Sequence, residues 1–532
     1  MAQTVVTQVG ECPVCREACG ERLGRHLRAS HGEAALREAV LAAKKTGTPD
    51  AEIGAAFGIS FAALQKIITQ ATGASVSAIR AARRPSAWEP REFREETTTL
   101  WSFRQRGKWA THDGRYRGNW SPFIPRNLVL KYSRPGELVL DYFSGGGTTA
   151  VEAKLLGRRC IARDINPAAV EMTRENLAFS LPSELFPHRD LPLYEPEVSI
   201  GDARRLDGVA DESVDLICAH PPYAGIIKYT AGLAGDLSGL GLPEFLAAMA
   251  QVASESMRVL KPGGACAILV GDARKARHVV PIGFETIRVF LAAGFELDEF
   301  VIKRQHNCKT TGFWYAGSVK HNFLLLAHEY LPVFRKPHRG GRARAESAAA
   351  RPLPVEPVVK ALPPADDRKL EATTVWLLPG DDLHGEVVRN LTARYARRQP
   401  AYLSFPLRKV PEPPVGALKA PSLAYIEAPP TLEGRAAISG YCRTLSAVAR
   451  KAARILGDGG TLAVEARDLR IGRQLWPLGF LAWETLSREP GIVLREIVVL
   501  APQDASPAGP LSAAGGPLRI AHSHLLIYGT SA

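Results

Sequence analysis

The sequence contains no apolar run long enough to cross a bilayer, so no membrane partner is expected. Its opening residues lack the charged-then-apolar pattern that directs export, and the expected location is cytoplasmic. Cysteine is scarce, eight in 532 residues, and is not spaced as a disulfide framework. Cys12, Cys15 and Cys19 lie together, whereas Cys160, Cys218, Cys266, Cys308 and Cys442 are scattered, several in apolar runs that read as buried strands. This distribution implies a reducing compartment and a metal site at the first cluster. Acidic residues are outnumbered, 54 against 67 Lys and Arg, and the net charge of +13 suits a polyanionic partner.

At 532 residues the chain exceeds one ordinary domain, and 46% apolar content suffices for several cores. Residues 1–33 hold a compact Cys/His cluster, and residues 34–84 are alanine-rich and helical. Residues 85–335 alternate apolar strands with amphipathic helices, the pattern of a parallel α/β sheet. Residues 336–370, rich in Arg, Ala and Pro, read as a linker, and residues 371–532 return to an α/β pattern. That last block repeats part of the third. Residues 252–264 read VASESMRVLKPGG and residues 448–460 read VARKAARILGDGG, aligned without a gap at a shift of 196. The same shift sets Pro281-Ile282-Gly283-Phe284 on Pro477-Leu478-Gly479-Phe480. His321–Leu325 resembles His522–Leu526, and Pro221-Pro222 has an echo at Pro429-Pro430. Shared order over this length points to an internal duplication.

Cys12, Cys15, His26 and His31 have the spacing C-x2-C-x10-H-x4-H. Two thiolates on a tight turn and two imidazoles about one helical turn apart can close a tetrahedral zinc site. So small a module cannot bury a useful core, so structural Zn2+ is expected to supply its folding energy. Cys19 is an alternative ligand. Beyond it, Ile53, Phe57, Leu64, Ile67 and Ile68 fall at helical spacing, Gly58 interrupts them, and Ser60 can cap a following helix. This resembles a helix-turn-helix, whose second helix (about residues 60–70) would enter the major groove, with Arg80, Arg83 and Arg84 on phosphates. A plain helical hairpin is the competing reading.

Residues 137–149 read as a strand running into a glycine-rich turn, Phe143-Ser144-Gly145-Gly146-Gly147, with a helix after it. Glycines let the backbone approach a ligand, and the helix N-terminus favours polar or anionic groups. A second strand ends at Asp164, an acid placed to bind ribose hydroxyls as in doubly wound sheets. A third ends at Asp202, and a fourth runs into His220-Pro221-Pro222-Tyr223.

Together these motifs resemble the S-adenosylmethionine-dependent amino-methyltransferases of DNA, which act on adenine N6 or cytosine N4. The resemblance covers about residues 97–335 and implies a Rossmann-like methyltransferase domain. It implies that Asp141, Phe143, Ser144, Gly145, Gly147, Thr148, Asp164, Asn166, Asp202 and Asn127 hold S-adenosylmethionine, and that His220, Pro221, Pro222 and Tyr223 hold the target base. The segment Gly118–Leu128 is similar to the family's element that closes over the cofactor. Double-stranded DNA is the expected substrate and N6-adenine the favoured target, while a restriction endonuclease partner is left open by the sequence. The first motif position departs from the family's Asp, Asn or Ser. A neutral His220 can accept one amino hydrogen and a protonated one cannot, so activity is expected to fall as it protonates.

An exocyclic amino nitrogen is a poor nucleophile, because its lone pair is delocalised into the ring. Acceptors on its N–H groups return electron density to it, and in-line placement does much of the rest. The base must leave the duplex and stack, here on Tyr223, with Trp314 and Tyr315 as candidates for its other face. The C-terminal copy has no recognisable cofactor turn, and its base motif is Ala428-Pro429-Pro430-Thr431, so a catalytically dead duplicate is expected. The alternatives are a methyltransferase of RNA bases and a DNA-binding regulator that has lost activity.

Overall fold

The computed structural model describes residues within 11–59, 85–180, 193–223, 229–338, 355–407, 421–503 and 516–531, with short interruptions, and also Ala63, Leu64 and Ile67. The expected second helix at 60–70, Arg80, Arg83, Arg84, Pro430 and Thr431 lie wholly or mostly outside them. Two compact units emerge, Met1–Arg94 with Gln105–Ile268, and Glu95–Arg104 with Leu269–Ala532. The division runs through the block 85–335.

In the first unit, Glu11 pairs with Ala18 around a tight turn in which Cys12 N–H donates to the Glu17 carbonyl at 2.8 Å and Arg16 takes φ 63°. Helical turns Leu23–His26 and Leu27–His31 lead into α1 (Gly32–Lys45) and α2 (Asp50–Phe57), and Gly58 follows at φ 59°. Leu23, Leu27, Leu36, Val40, Ile53, Phe57, Leu64 and Ile67 share one core with Cys12. The apolar spacing noted in the sequence therefore serves packing of these helices on the Cys/His turn.

β1 (Leu100–Trp101) belongs to the second unit. The first unit continues with α3 (Phe123–Tyr132), β2 (Leu138–Asp141), α4 (Thr148–Leu155), β3 (Arg159–Asp164), α5 (Pro167–Leu177), β4 (Glu197–Ile200), β5 (Val214–Ala219), α6 (Leu242–Val259) and β6 (Leu260–Ile268). The five strands are parallel in the order β4-β3-β2-β5-β6. β5 is apolar almost throughout, as a strand covered on both faces must be. The chain starts at the central β2, runs outward to β4, then returns to β5 on the other side. The C-terminal ends of β2 and β5 therefore flank the point where strand order reverses, the usual ligand crevice of doubly wound sheets.

The second unit contains the hairpin β7 (Ala273–Lys275) and β8 (His278–Val280), α7 (Ile282–Ala292), β9 (Glu296–Arg304), α8 (Lys309–His321) and β10 (His328–Arg335), with β1, β9 and β10 adjacent in that order. Then follow β11 (Val358–Ala361), β12 (Val375–Leu378), α9 (Leu383–Tyr395), β13 (Ala401–Phe405), β14 (Leu423–Ile426), α10 (Gly434–Leu456), β15 (Thr461–Ala466), β16 (Leu469–Ile471), β17 (Gln474–Trp476), α11 (Leu478–Leu486), β18 (Ile492–Pro502) and β19 (Ser523–Thr530). Seven of these strands form a sheet in the order β11-β13-β14-β15-β19-β18-β12. β11 falls inside the stretch expected to be a linker. Its four residues pair antiparallel with β13, a short signal hidden among flanking Pro and Arg.

The sequence repeat has a geometric counterpart. The 196-residue shift sets the β7–β8 hairpin on β16–β17 and α7 on α11. Gly283 N–H donates to Asp272 Oδ1 at 2.9 Å, and Gly479 N–H donates to Asp468 Oδ1 at 3.0 Å. Trp101 and Trp376 each donate an indole N–H to the carbonyl three residues back, at 2.9 Å. The two halves then exchange partners. Thr99 Oγ1 lies 2.8 Å from His522 Nδ1, and Thr374 Oγ1 lies 2.9 Å from His328 Nδ1. Arg274 pairs with Glu496 at 2.5 Å, and Arg470 pairs with Glu299. Phe284 meets Phe480, its own counterpart, edge to face at 6.0 Å. Such crossed, self-complementary contacts are those of a twofold dimer, here within one chain.

The register corrects one expected match. His522 and His524 correspond to His328 and Tyr330, not to residues of His321–Leu325. Tyr330 and His524 cover Gly283 and Gly479, where a Cβ would collide with their rings. Short apolar strings look alike in sequence, and only the hydrogen-bond partners separate them.

Candidate active site

β2 ends at Asp141, whose carboxylate accepts Phe143 N–H at 3.0 Å and Thr149 Oγ–H at 2.5 Å, tying the turn to α4. Burial pushes Asp141 up to about 7, with these two bonds opposing. Gly145 and Gly147 take φ of 52° and 77°, conformations that glycine adopts without strain. Thr148 opens α4 and is buried, and Phe143 sets its ring edge-on to Tyr142.

Asp164, at the end of β3, accepts Gly145 N–H on Oδ2 and Asn166 N–H on Oδ1, both at 2.9 Å. It therefore clamps the glycine turn at the end of β3. Burial raises it to about 6. Asn166 caps α5 through Ala168 N–H at 3.0 Å. Two side chains of α5 hold the turn from behind, Thr173 donating to the Gly145 carbonyl at 3.0 Å and Asn176 to the Gly146 carbonyl at 2.8 Å.

Of the segment expected to close over the turn, Asn119 packs on it, and so does Tyr116, which lies just before that segment. A Cβ on Gly145 would stand 3.0 Å from the Tyr116 ring, and one on Gly146 2.7 Å from Asn119 Nδ2. Tyr116 stacks on Tyr229 at 5.7 Å beside Ala169 and Met172. Behind them Glu152 of α4 is fully buried and accepts Trp109 Nε1–H at 2.6 Å and Arg126 Nη1–H at 3.0 Å, with His112 Nε2 at 2.7 Å. This network anchors Trp109, His112 and Arg126 to the helix that follows the glycine turn. The sequence reading missed Tyr116, Thr173, Asn176 and Glu152. A glutamate in the otherwise apolar-facing first turns of α4, with Trp, His and Arg upstream, was the available signal.

His220 follows β5 directly. Its ring stacks on Trp120 at 5.8 Å and meets the Tyr223 ring edge-on, with Nε2 3.0 Å from Tyr223 Oη. The His-Pro-Pro-Tyr turn and the closing segment thus touch through Trp120. Pro221 is buried, and Pro222 and Tyr223 are partly exposed. Asp202 stands beyond β4, both oxygens engaged by Arg204, at 2.6 Å for the closest contact. Burial raises the Asp202 carboxyl, but Arg204 outweighs it and holds it below the ordinary range. Asn127 lies on α3 and donates to its own helix at Phe123 O, 2.8 Å. In the second unit, Tyr315 on α8 is exposed; nothing is described of the Trp314 side chain.

Around the glycine turn, Ser144 Oγ and Asn166 Nδ2 are buried without a hydrogen-bond partner. Unmet polar groups beside a glycine turn and a strand-end carboxylate fit a cofactor carrying hydroxyl and amino-acid groups.

At the N-terminus, one ligand atom from each of Cys12, Cys15, His26 and His31 falls within 4.8 Å of the others. Cys15 Sγ lies 3.2 Å from His26 Nε2, and His31 Nε2 is buried without a partner. Glu17, Cys19 and His26 form a second such group, so the position of Cys19 keeps the ligand set open.

Residues 39–175 match the family model described as DNA methylase, N6_N4_Mtase. A tRNA (guanine(10)-N2)-dimethyltransferase of Methanothermobacter thermautotrophicus is 39% identical over 22% of this chain and 31% of its own. The Type II methyltransferase M.MthZI, also of Methanothermobacter thermautotrophicus, is 28% identical over 25% of this chain and 42% of its own. The chain thus spans well under half the length of these relatives. A solved SAM-dependent methyltransferase from Methanosarcina mazei aligns with 39% of this chain and 96% of its own, at 15% identity and a TM-score of 0.25. The similarity is therefore to methyltransferases of the N6/N4 DNA methylase type, with both tRNA-modifying and Type II relatives among the matches.

Proposed function

We propose that this chain transfers a methyl group from S-adenosylmethionine to an exocyclic amino group of a base flipped out of duplex DNA, with adenine N6 favoured over cytosine N4. One observation carries the reading. The glycine turn clamped by Asp164 and the His220–Tyr223 turn close adjacent parallel strands, β2 and β5, at the point where strand order reverses. Ser144, Gly145, Gly147 and Thr148, with Asp164 and Asn166, would hold the cofactor. Asp141 would act on it only through the turn, Asp202 after yielding part of its pairing with Arg204.

Bound there, S-adenosylmethionine supplies an electrophilic methyl. The chain's own task is to present the amino nitrogen in line and to accept its hydrogens. The Pro221 carbonyl is one acceptor. His220 is the second in the tautomer whose Nε2–H donates to Tyr223 Oη, because only then is Nδ1 an acceptor. Tyr223 offers the stacking face, and the stiff proline pair keeps the carbonyl aimed. The Cys12, Cys15, His26 and His31 cluster would hold structural zinc, and the helical segment after it would contact the duplex. The C-terminal copy would be inactive. Its described residues have β13 beside β14, as β2 lies beside β5, but no pair matching β3 and β4.

A structured RNA is the second reading, favoured by the identity to the tRNA-modifying relative. The test is incubation with labelled S-adenosylmethionine and either mixed-sequence duplex DNA or total tRNA, then digestion and mass spectrometry. N6-methyladenine or N4-methylcytosine from DNA, lost in Tyr223→Ala, is the expected result. Methylated nucleoside from tRNA alone would replace DNA by RNA, and none from either would overturn the reading.

A further inference from the structure

We propose that Asp468, His522 and His524 form a binding site for a divalent transition-metal ion, zinc by ligand type, inside the second unit. These residues lie outside the span 39–175 matched by the family model and outside the motifs around the glycine turn. Asp468 follows β15, and His522 and His524 lie at and just before the start of β19. All three are at least 96% buried, with exposures of 3%, 4% and 0%. One ligand atom from each falls within 4.8 Å of the others. His522 Nε2 is 3.9 Å from Asp468 Oδ2, and His524 Nδ1 is 3.9 Å from Asp468 Oδ1, too far for hydrogen bonds.

Unmet polar atoms mark the spot. Asp468 Oδ2, His522 Nε2 and both ring nitrogens of His524 are buried without any hydrogen-bond partner. Burying such atoms unsatisfied is costly, and four in one place require an occupant. The Asp468 carboxylate is oriented from outside by Gly479 N–H at 3.0 Å, as a ligating carboxylate usually is. Phe300 stacks on His524 at 5.3 Å and Phe284 lies 5.8 Å from it, so the surroundings are apolar. Zinc bonds of about 2.0–2.2 Å would bring the ligand atoms to about 3.3 Å apart, an inward movement of at most about an ångström for each.

The other half of the chain is a built-in control. There Tyr330 stands in place of His524, and its hydroxyl donates to Asp272 Oδ2 at 3.1 Å while Oδ1 accepts Gly283 N–H. That half satisfies its aspartate by a hydrogen bond. The second half replaces the phenol by an imidazole and leaves the carboxylate oxygen open. Replacing a donor that reaches the carboxylate by a ring that stops short is the change a bridging cation would complete.

The test compares the full-length wild type with His524→Tyr, a residue the equivalent position already accommodates. After equilibration with Zn2+ and removal of free metal, zinc per chain is measured by inductively coupled plasma mass spectrometry. The N-terminal cluster is common to both proteins and cancels. Loss of about one equivalent in the variant, with an unchanged circular dichroism spectrum, is the expected result. Equal zinc content in the two overturns the proposal. If the variant does not fold, anomalous scattering at the zinc edge from wild-type crystals decides. A peak among the three side chains supports the site, and a water molecule or empty space there overturns it.

Discussion

The indole of Trp120 lies over the imidazole of His220, ring centres 5.8 Å apart and planes 21° apart. One residue belongs to the segment covering the glycine turn and the other to the turn after β5, so closure over one site and alignment of the other are mechanically linked. Trp120→Ala is expected to lower methyl transfer by roughly 100-fold, the scale of a misplacement of about an ångström. Cofactor affinity, read by calorimetry, should stay close to wild type. Equal losses in turnover and affinity would place Trp120 in cofactor binding instead.

Glu152 is a fully buried charge in the first unit, held by three side chains. Its burial raises the carboxyl, but His112, Arg126 and Trp109 outweigh this and hold it below its ordinary 4.5. Glu152→Gln leaves the buried Arg126 with only the half-exposed Glu89, 4.0 Å away, and should cost about 3 kcal/mol, read from chemical denaturation. A folded value below the unfolded one contributes stability above the unfolded pKa and loses it as pH falls through the folded value. The gap between wild type and variant should therefore be full near neutrality and shrink on acidification below about 4.5.

Asp164 has the opposite sign. Burial pushes it up from 3.8 to about 6, so between these values the folded chain holds a proton that the unfolded chain releases. Its contribution to stability falls as pH rises through that window. For the cofactor the ionised form is the better acceptor of ribose hydroxyls. Affinity for S-adenosylmethionine should weaken as pH drops through about 6, and Asp164→Asn should flatten that profile. A variant with the wild-type pH dependence would assign the titration to another group.

Thr99 and Thr374 make matching bonds, to His522 at 2.8 Å and His328 at 2.9 Å. Thr99→Val and Thr374→Val should each cost about 1–3 kcal/mol, because each strands a buried imidazole nitrogen. Near-equal shifts in thermal unfolding are expected if the two halves are as alike in energy as in geometry. A loss in one variant and none in the other would show that only one crossed contact matters.

Much of this was legible in advance. The strand–glycine–helix signature, the acid ending β3 and the apolar β5 all rest on short-range pattern, and the structure places them as the parallel order requires. The repeat was legible for the same reason, since an ungapped shift keeps helix and hairpin signals in phase. The crossed contacts were not, because Thr99 and His522 are remote in sequence and no local period connects them. Glu152 escaped notice because a glutamate in a helix usually faces water, and only the converging Trp109, His112 and Arg126 reverse that expectation. β11 was hidden by its neighbours' composition. Asp164 was read as a ligand of ribose, but its bonds to Gly145 and Asn166 give it a structural task that strand-end position alone does not reveal.

The crossed contacts of the second unit have a kinetic consequence. Two separate chains joined by such an interface part when diluted, and every encounter must be repeated in solution. Tethered on one chain, the halves meet at a fixed effective concentration whatever the amount of protein present. Each interface position also occurs twice and can change once. Tyr330 and His524, facing equivalent aspartates with different chemistry, are such a divergence, open to a tandem chain and closed to a homodimer in which any substitution appears on both sides.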